Sequence, residues 1–392
     1  MPSIPPFDHP GPWLKGNLHC HSRESDGALS PQDVWEKHRR AGYDFFALTD
    51  HDRITELSAG EAGPLVVRGA EITLGRTRQG SPMHCVAVGL QAPELPPSFP
   101  SPASALEWVW EQGAFPVLAH PHWSGFASDE LADLGGLRAL EIFNYGCARE
   151  NDKGHSLVYW DELLGRGQRL LGVAADDSHW RDSDFGGGWV MVQAEDRSAA
   201  SVVDGLRQGR FYSTCGPQLL DLQLEGDRLV VRTSPAAAIF WIGAGRLGWS
   251  RHGAPGIPLT EAEFRLKGCP AWARVEACDS AGRWAWSNPS RSRRIDSLGR
   301  HAIVASIQAT SDIPDPFGDA TDHAPQDSLS QSLDSRRPSD RCLVRSAPTE
   351  VTRKKRVREH PSPQSESFGA ARRAGENSLV GRSISHILRR MR

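Results

Sequence analysis

The chain has 392 residues, of which 39% are hydrophobic and 24% are charged, and its formal net charge is -3. This balance is typical of a soluble globular protein, and it excludes a fibre, a wholly disordered chain and a single small module. Because a net charge near zero creates no strong electrostatic field, neither nucleic acid nor an anionic membrane is expected as a general partner.

Strands and helices alternate in the first half of the chain. Seven strands are predicted from short apolar runs, at 14–19, 43–49, 65–71, 84–90, 115–119, 139–143 and 170–174. Helices are predicted at 30–42, where Ser30 caps, Pro31 begins and Gly42 ends the helix, and again at 102–112 and 152–164. About seven strands with intervening helices predict an α/β barrel or a related parallel sheet, which we assign to a domain over 14–185.

The pattern changes twice further along the chain. Residues 186–290 contain short alternating strands joined by Gly-containing turns, with one helix at 199–208, and predict a small β-rich domain. All 13 tryptophans precede residue 287, and the remainder is dominated by Ser, Arg, Asp and Pro. A segment of this composition buries too little apolar area to offset its chain entropy, so 291–392 is predicted to be a disordered tail.

Cysteine usage and the amino terminus indicate the cellular setting. The seven cysteines are scattered and form no CxxC pair, which argues against a disulfide framework and a zinc knuckle. The start, MPSIPPFDHPGPW, lacks the basic and apolar regions of a signal peptide, and no later run approaches the ~18 apolar residues of a membrane span. We therefore expect a cytoplasmic protein that does not cross a membrane.

Histidines and carboxylates recur near the ends of the predicted strands, where functional groups collect in α/β barrels. The series is His19, His21, Asp26, Asp50, His51, Glu71, His84, His120, His122, Glu141, Asp176, Asp177 and His179. In each HxH pair, the alternation of an extended chain would turn both imidazoles the same way, so that both could reach one ion. Mixed imidazole and carboxylate ligands suit zinc, manganese or iron, and so many ligands predict two or three ions and hydrolytic chemistry.

Six motifs carry a family resemblance. In order, NLHCHSRESDG, FFALTDHD, GAEIT, HCVAVGL, LAHPH and DDSH resemble the polymerase-and-histidinol-phosphatase (PHP) superfamily of metal-dependent phosphoesterases over about residues 14–180. The segments WDELLGRGQRLLGVAADDSHW, GRFYSTCGP and GRWAWSNP are similar to its carbaryl-hydrolase-like branch of metallohydrolases, to about residue 290. The resemblance implies a distorted (β/α)7 barrel with a site for two or three divalent ions.

The resemblance also implies which residues bind each ion. It assigns His19, His21 and Asp177 to the first ion, Glu71 as a bridge to the second, His84 and His120 to the second, and Asp26, His51 and His179 to the third. Many three-metal members have histidine where this chain has Asp26, so the occupancy and identity of the third site stay open.

Further residues are candidates for other roles. His122 is expected either as a general acid or substrate contact or as a structural residue, and Arg23 either as a clamp for a phosphate oxygen or as an exposed loop residue. Asp50 and Asp176 are expected to orient ligand imidazoles, and Asn144 and Arg149, which follow a strand end, are expected either to line the pocket or to be exposed loop residues. Cys20, between two ligands, should face the opposite side and pack.

The predicted function is hydrolysis of a small phosphomonoester or phosphodiester, in which a metal-bridging hydroxide attacks phosphorus. The same site could instead act on a carbonyl carbon, giving a carbamate, ester or amide hydrolase. A pocket rich in Arg and Lys would favour phosphate, whereas an apolar pocket would favour an aryl carbamate. A binding protein built on a decayed barrel would lack metal ligands, and none of the motifs is missing. The expected partner is a small-molecule substrate, not nucleic acid, because acidic residues exceed basic ones before residue 290; the oligomeric state stays open.

Overall fold

The computed structural model describes residues 1, 3–58, 62–266 and 271–290. The predicted tail at 291–392 therefore lies outside the described residues. Within the described ranges, no helix has the length and apolar character that a membrane span requires.

All seven strands predicted for the first half are observed. They are β1 (Trp13–Asn17), β2 (Phe45–Leu48), β3 (Leu65–Arg76), β4 (Pro82–Val88), β5 (Phe115–Leu118), β6 (Ala139–Asn144) and β7 (Leu171–Ala175). The helices of this half are α1 (Pro31–Arg40), α2 (Pro102–Glu111), α3 (Pro121–Ser124), α4 (Ser128–Ala132), α5 (Tyr145–Asn151) and α6 (Leu157–Gly165).

Local signals explain where the helices begin and end. The Ser30 side chain accepts a hydrogen bond from the backbone N–H of Asp33, Pro31 occupies the first turn, and Gly42 follows at φ 69°, so α1 is confirmed. The helix predicted at 152–164 begins later, at Leu157. The reason is that Asp152 adopts φ 63° and ends the preceding helix α5, which the sequence pattern did not reveal.

The second half contains strands and one helix, as predicted. They are β8 (Trp189–Gln193), α7 (Ala199–Arg207), β9 (Phe211–Thr214), β10 (Leu219–Glu225), β11 (Arg228–Ala236), β12 (Ala238–Gly243), β13 (Gly248–His252), β14 (Leu259–Arg265), β15 (Ala273–Cys278) and β16 (Trp284–Ser287). Strands β10, β11 and β14 form a separate three-stranded sheet. Its inner face packs Leu222, Val231 and Phe264 into one apolar cluster with Trp241 of β12.

Thirteen strands form one large sheet in the order β13-β12-β15-β16-β9-β8-β1-β2-β3-β4-β5-β6-β7. The pairs β1–β2, β2–β3, β5–β6 and β6–β7 are parallel, but β3–β4 and β4–β5 are antiparallel. The expectation of a wholly parallel sheet is therefore wrong at β4. Only residues 77–81 join β3 to β4, and a parallel pair needs a crossover of a dozen or more residues.

Side chains from the second half cover the outer edge of β7. Ser213 Oγ accepts a hydrogen bond from Ala174 N at 2.9 Å and donates one to Gly172 O at 2.8 Å. Asn288 Oδ1 accepts from Gly172 N at 2.9 Å. The end strand of the sheet is thus hydrogen-bonded on both sides, and its polar backbone groups are not left bare.

Candidate metal centre

Four buried side chains converge, of which two follow the end of β1, one lies within β3 and one follows the end of β7. His19 Nε2 lies 3.2 Å from Glu71 Oε2 and 3.3 Å from Asp177 Oδ1. His21 Nε2 lies 3.2 Å from the same Glu71 oxygen and 3.1 Å from the same Asp177 oxygen. The ligand atoms of these four residues fall within 4.8 Å of one another, so one ion could contact all four.

The backbone explains why both imidazoles of the first HxH pair face inward. β1 ends at Asn17, but a β-bridge between Cys20 and Ser178 keeps the chain extended past His19. Alternate residues of an extended chain face the same way, so His19 and His21 both reach the site. Cys20 faces the opposite side, where it packs beside Phe46, in agreement with the prediction for it.

The protonation pattern tests whether these residues fit a cation. His19 Nδ1 is 2.7 Å from Glu141 Oε1, and its Nε2 faces two carboxylate oxygens and, at 3.2 Å, His21 Nε2. Burial lowers the pKa of His19, but the carboxylates of Asp177, Glu71 and Glu141 outweigh it and raise that pKa well above its ordinary value. Burial lowers the pKa of His21, but hydrogen bonds to Asp177 and Glu71 outweigh it and raise that pKa to about 9. The nitrogen and oxygen atoms that converge here favour a positive charge between them, and a divalent ion fits this donor set.

A second group comprises His51, Glu71 and His84, and His120 lies against it. Glu71 Oε1 is 2.9 Å from His84 Nδ1 and 3.2 Å from His120 Nε2, while its Oε2 is 3.2 Å from His51 Nδ1. Although close to a carboxylate, the buried His84 Nδ1 makes no hydrogen bond to any described residue. His84 Nδ1 therefore lies beside Glu71 Oε1 without pointing at it. Two ligand atoms that bind the same ion are arranged in this way. His84 lies near the start of β4, not at a strand end, and it reaches the site because β4 runs antiparallel to β3.

A third group is more exposed than the other two. It comprises His21, Asp26, His51 and His179. His179 Nδ1 donates to the backbone oxygen of Asp177 at 3.0 Å, so its Nε2 faces Asp26 Oδ2 at 3.3 Å. The Asp26 side chain is 44% exposed, against 1% for Glu71, so any ion held here would be the more accessible to solvent.

The structure thus brings the nine predicted ligands together. Eight belong to one or more of the three overlapping groups, and the ninth, His120, lies against Glu71. Their roles as ligands stay predictions.

Two residues of β6, Glu141 within the strand and Asn144 at its end, connect several predicted ligands. Besides binding His19, Glu141 accepts hydrogen bonds from His120 N at 2.8 Å and Asn144 Nδ2 at 2.7 Å. Asn144 Nδ2 also donates to Asp177 Oδ2 at 3.1 Å, and the Asn144 side chain caps α5 through Cys147 N. The sequence indicated a strand end at Glu141 but no role for it. Asn144 is fully buried and holds a predicted ligand, rather than lining the pocket as expected.

The two aspartates expected to orient imidazoles hold loops instead. Asp50 accepts hydrogen bonds from Ser22, Ser25 and Thr55, and so fixes the segment after His21. Asp176 accepts from the backbone N–H groups of three successive glycines at 186–188, at 2.8–2.9 Å. Neither carboxylate contacts an imidazole among the described residues, because each accepts hydrogen bonds from the hydroxyl or backbone N–H groups of a neighbouring loop.

His122 and Arg23 do not line the cavity beside this cluster. The alternation argument is wrong for the second HxH pair, since β5 ends at Leu118 and α3 begins at Pro121, so the chain is helical at His122. Its Nδ1 is buried without a hydrogen bond to the described residues. The Arg23 guanidinium donates to Ala28 O at 2.9 Å and closes its own loop.

A cavity of about 630 Å³ opens beside the three groups. Two arginines and one tryptophan line it, namely Arg149, Arg181 and Trp123, and no lysine does so among the described residues. Trp123 is held by a 2.7 Å hydrogen bond from its Nε1 to Glu150 Oε2 and by an edge contact with the His120 ring. The cavity is therefore polar, and besides the candidate ligands it is lined by the carboxylates of Glu150, Asp182 and Asp184 as well as by the two arginines.

Fold and site together define a mixed α/β protein with a buried His/Asp/Glu cluster that could hold divalent ions. No family model matches the chain. Over 79 residues it is 37% identical to a 5'-3' exoribonuclease of Haemophilus influenzae, a match that covers 19% of this chain and 28% of that protein. Over 149 residues it is 28% identical to an uncharacterized protein of Methanocaldococcus jannaschii, covering 33% of this chain and 82% of that protein.

Among solved structures, the chain is similar to a two-domain protein of Bacteroides vulgatus, described as containing a predicted PHP-like metal-dependent phosphoesterase. The identity is 17% and the TM-score 0.42, over 71% of this chain and 92% of that chain.

Proposed function

We propose that this chain is a metal-dependent hydrolase of the PHP type that hydrolyses a small phosphomonoester or phosphodiester. The observation that carries the proposal is the convergence of His19 Nε2, His21 Nε2 and the carboxylates of Glu71 and Asp177 within 3.3 Å contacts. The order of the six sequence motifs supports the family, and the carbaryl-hydrolase-like branch is proposed from the later segments.

The nine ligands would hold two or three manganese, zinc or iron ions. Bound ions of this kind supply an activated water molecule and neutralise charge that develops on phosphoryl oxygens. Glu71 suits a bridging role because its two oxygens belong to separate imidazole groups. Glu141 holds the His19 ring so that Nε2 faces the carboxylates of Glu71 and Asp177.

The cavity lining favours phosphate over a neutral carbonyl substrate. Arg149 and Arg181 can donate charge-assisted hydrogen bonds to phosphoryl oxygens. Trp123 is the one large apolar side chain that lines the cavity among the described residues. A carbamate, ester or amide hydrolase is the alternative that the assay must separate.

We also propose that β1–β7 form the distorted seven-stranded barrel of PHP proteins, within a domain over 14–185. The hydrogen bonds between β7 and Ser213 support a sheet that curls towards its own start, because β9 lies beside β8 and β8 beside β1.

The decisive assay compares a chromogenic phosphodiester, a phosphomonoester and an aryl carbamate, with protein that has been stripped of metal and reloaded with manganese or zinc. We expect metal-dependent turnover of at least one phosphate ester and none of the carbamate. Replacing both His19 and His21 by Ala should abolish this turnover and lower the bound metal, because two ligands of the buried group are lost. The control His252→Ala, at an exposed position outside the site, should retain both.

Carbamate turnover alone would move the assignment to carbonyl hydrolysis. Full activity in the double variant would refute the proposed site.

A further inference from the structure

Arg149 is an exposed cation at the cavity that forms no direct ion pair with a described residue. It lines the cavity, yet its guanidinium forms neither an ion pair nor a hydrogen bond with any residue that the structure describes. The other cavity arginine is occupied, because Arg181 Nη2 donates to the backbone oxygen of Asp26. The acid next to Arg149 is occupied as well, since Glu150 accepts from Trp123.

The position of Arg149 is set by the ligand cluster itself. Its helix, α5, begins at Asn144, whose side chain donates to both Asp177 and Glu141. Gly146 and Cys147 of the same helix also line the cavity, so this face of α5 forms one of its walls. The backbone of an element that is anchored to the predicted ligands keeps a fixed place relative to them, so the Arg149 side chain extends from a fixed point on the cavity wall.

Electrostatics then indicates what belongs between Arg149 and the ligand cluster. Divalent ions in the cluster would add positive charge to a cavity that already contains an unpaired guanidinium. Two cationic groups that face one cavity are stabilised by an anion that contacts both, and guanidinium matches the geometry of phosphate oxygens in particular.

We infer that Arg149 is the substrate-binding cation of this cavity, donating hydrogen bonds to an anionic oxygen of the substrate while the remainder of that anionic group lies at the ligand cluster. This inference rests on the proposed function, since it names the residue by which a phosphate ester is preferred to a neutral ester. It assigns to Arg149 the phosphate contact that the sequence suggested for Arg23.

The test uses the full chain loaded with manganese and the variants Arg149→Ala and Arg149→Gln. Substrates are bis(p-nitrophenyl) phosphate, p-nitrophenyl phosphate and the neutral p-nitrophenyl acetate, and inorganic phosphate is the inhibitor. Loss of a charge-assisted bond that is present in both ground state and transition state should raise KM for phosphate esters and Ki for phosphate by about 10- to 100-fold. The kcat on phosphate esters and any turnover of the neutral ester should change little.

The matched control is Arg166→Gln. Both arginines lie at the end of a helix, where a cation stabilises the helix dipole, but Arg166 pairs with Glu162 and does not line the cavity. A purely helix-stabilising role for Arg149 would lower the melting temperature in both variants and leave KM and Ki unchanged. Metal content, measured by elemental analysis, checks that the Arg149 variants retain the ions.

The outcomes separate this inference from the proposed function. Phosphate-ester turnover with unchanged KM and Ki in both Arg149 variants would overturn the inference and leave the phosphoesterase intact. Turnover of the neutral ester alone would overturn the proposed function. The inference would then be tested by Ki for inorganic phosphate, and it would fail if Ki were the same in wild type and variants.

Discussion

The Nδ1 atom of His19 lies 2.7 Å from Glu141, and this contact determines which ring nitrogen faces the candidate metal centre. Glu141 is itself 1% exposed and is held by the His120 backbone and the Asn144 amide. A carboxylate in this position both orients the imidazole and increases its basicity as a ligand. The position of the His19 ring therefore depends on a residue that is not itself a candidate ligand.

Glu141→Gln should weaken metal binding without unfolding the protein. The amide keeps the size of the side chain but loses the charge that supports His19, and loss of such a partner typically costs about 10- to 100-fold in metal affinity. Equilibrium dialysis against manganese or zinc measures the affinity, and circular dichroism checks the fold. Glu162→Gln, at a half-buried position on α6 outside the cluster, is the control. Equal affinities of the two variants would show that Glu141 has no such role.

The candidate ligands could be predicted from the sequence because their signal is local. Two histidines that are two residues apart in an extended segment point to the same side, as His19 and His21 do. The partners of Asp50, Asp176 and Glu141 could not be read in this way, because each accepts hydrogen bonds from segments that the fold brings in. The direction of the His122 side chain could not be read from its spacing either, since the chain changes from strand to helix at Pro121.

At the level of the element, helix α1 buries a histidine against the sheet. His38 is fully buried, stacks on Phe46 at 4.2 Å between ring centroids, and lies 2.8 Å from the backbone oxygen of Val34 and 3.2 Å from Asn17. Burial lowers its pKa to about 3 from an ordinary value of 6.5. His38 is therefore neutral in the folded protein at neutral pH.

This shift predicts how stability depends on pH. Between pH values of about 3 and 6.5 the unfolded chain binds one more proton at His38 than the folded chain does. The free energy of unfolding contributed by this group is therefore fully present above 6.5 and falls with decreasing pH, by about 1.4 kcal/mol per pH unit. His38→Gln should remove that slope. Urea unfolding of both metal-stripped proteins from pH 4.5 to 7.5 measures it, and parallel curves would contradict the assignment.

The existence of the elements was easier to predict than their direction. Apolar runs identified all seven strands of the first half, and Ser30, Pro31 and Gly42 marked both ends of α1. Strand periodicity is the same for parallel and antiparallel neighbours, so the reversal at β4 had no signal except the short connection at 77–81. That reversal matters for the site, because it brings His84 from the start of its strand to Glu71.

On the scale of the whole molecule, Ser213 joins the end strand β7 to the second half of the chain. Its hydroxyl is the partner of the Ala174 N–H and of the Gly172 carbonyl, and all three residues are buried. Ser213→Ala would leave two buried backbone groups of β7 without a partner. We expect a loss of about 2 kcal/mol in the free energy of unfolding.

The midpoint of urea unfolding measures this loss. Ser98→Ala, at an exposed position, provides the comparison for removal of a hydroxyl alone. Equal midpoints for the two variants would mean that Ser213 does not support β7.

The pairing of strand β1 limits how the two halves of this chain can be recombined in evolution. On one side it pairs with β2, and on the other side it pairs with β8 through Trp13, Leu14, Lys15 and Gly16. The strand that leads into His19 and His21 is thus shared between the two predicted domains, and the backbone ladder crosses the boundary proposed near residue 185. The second half therefore cannot be exchanged independently of the first. A gene fusion that exchanged the second half would have to supply a new neighbour for β1, so recombination at this boundary is constrained even though the candidate ligands all precede it.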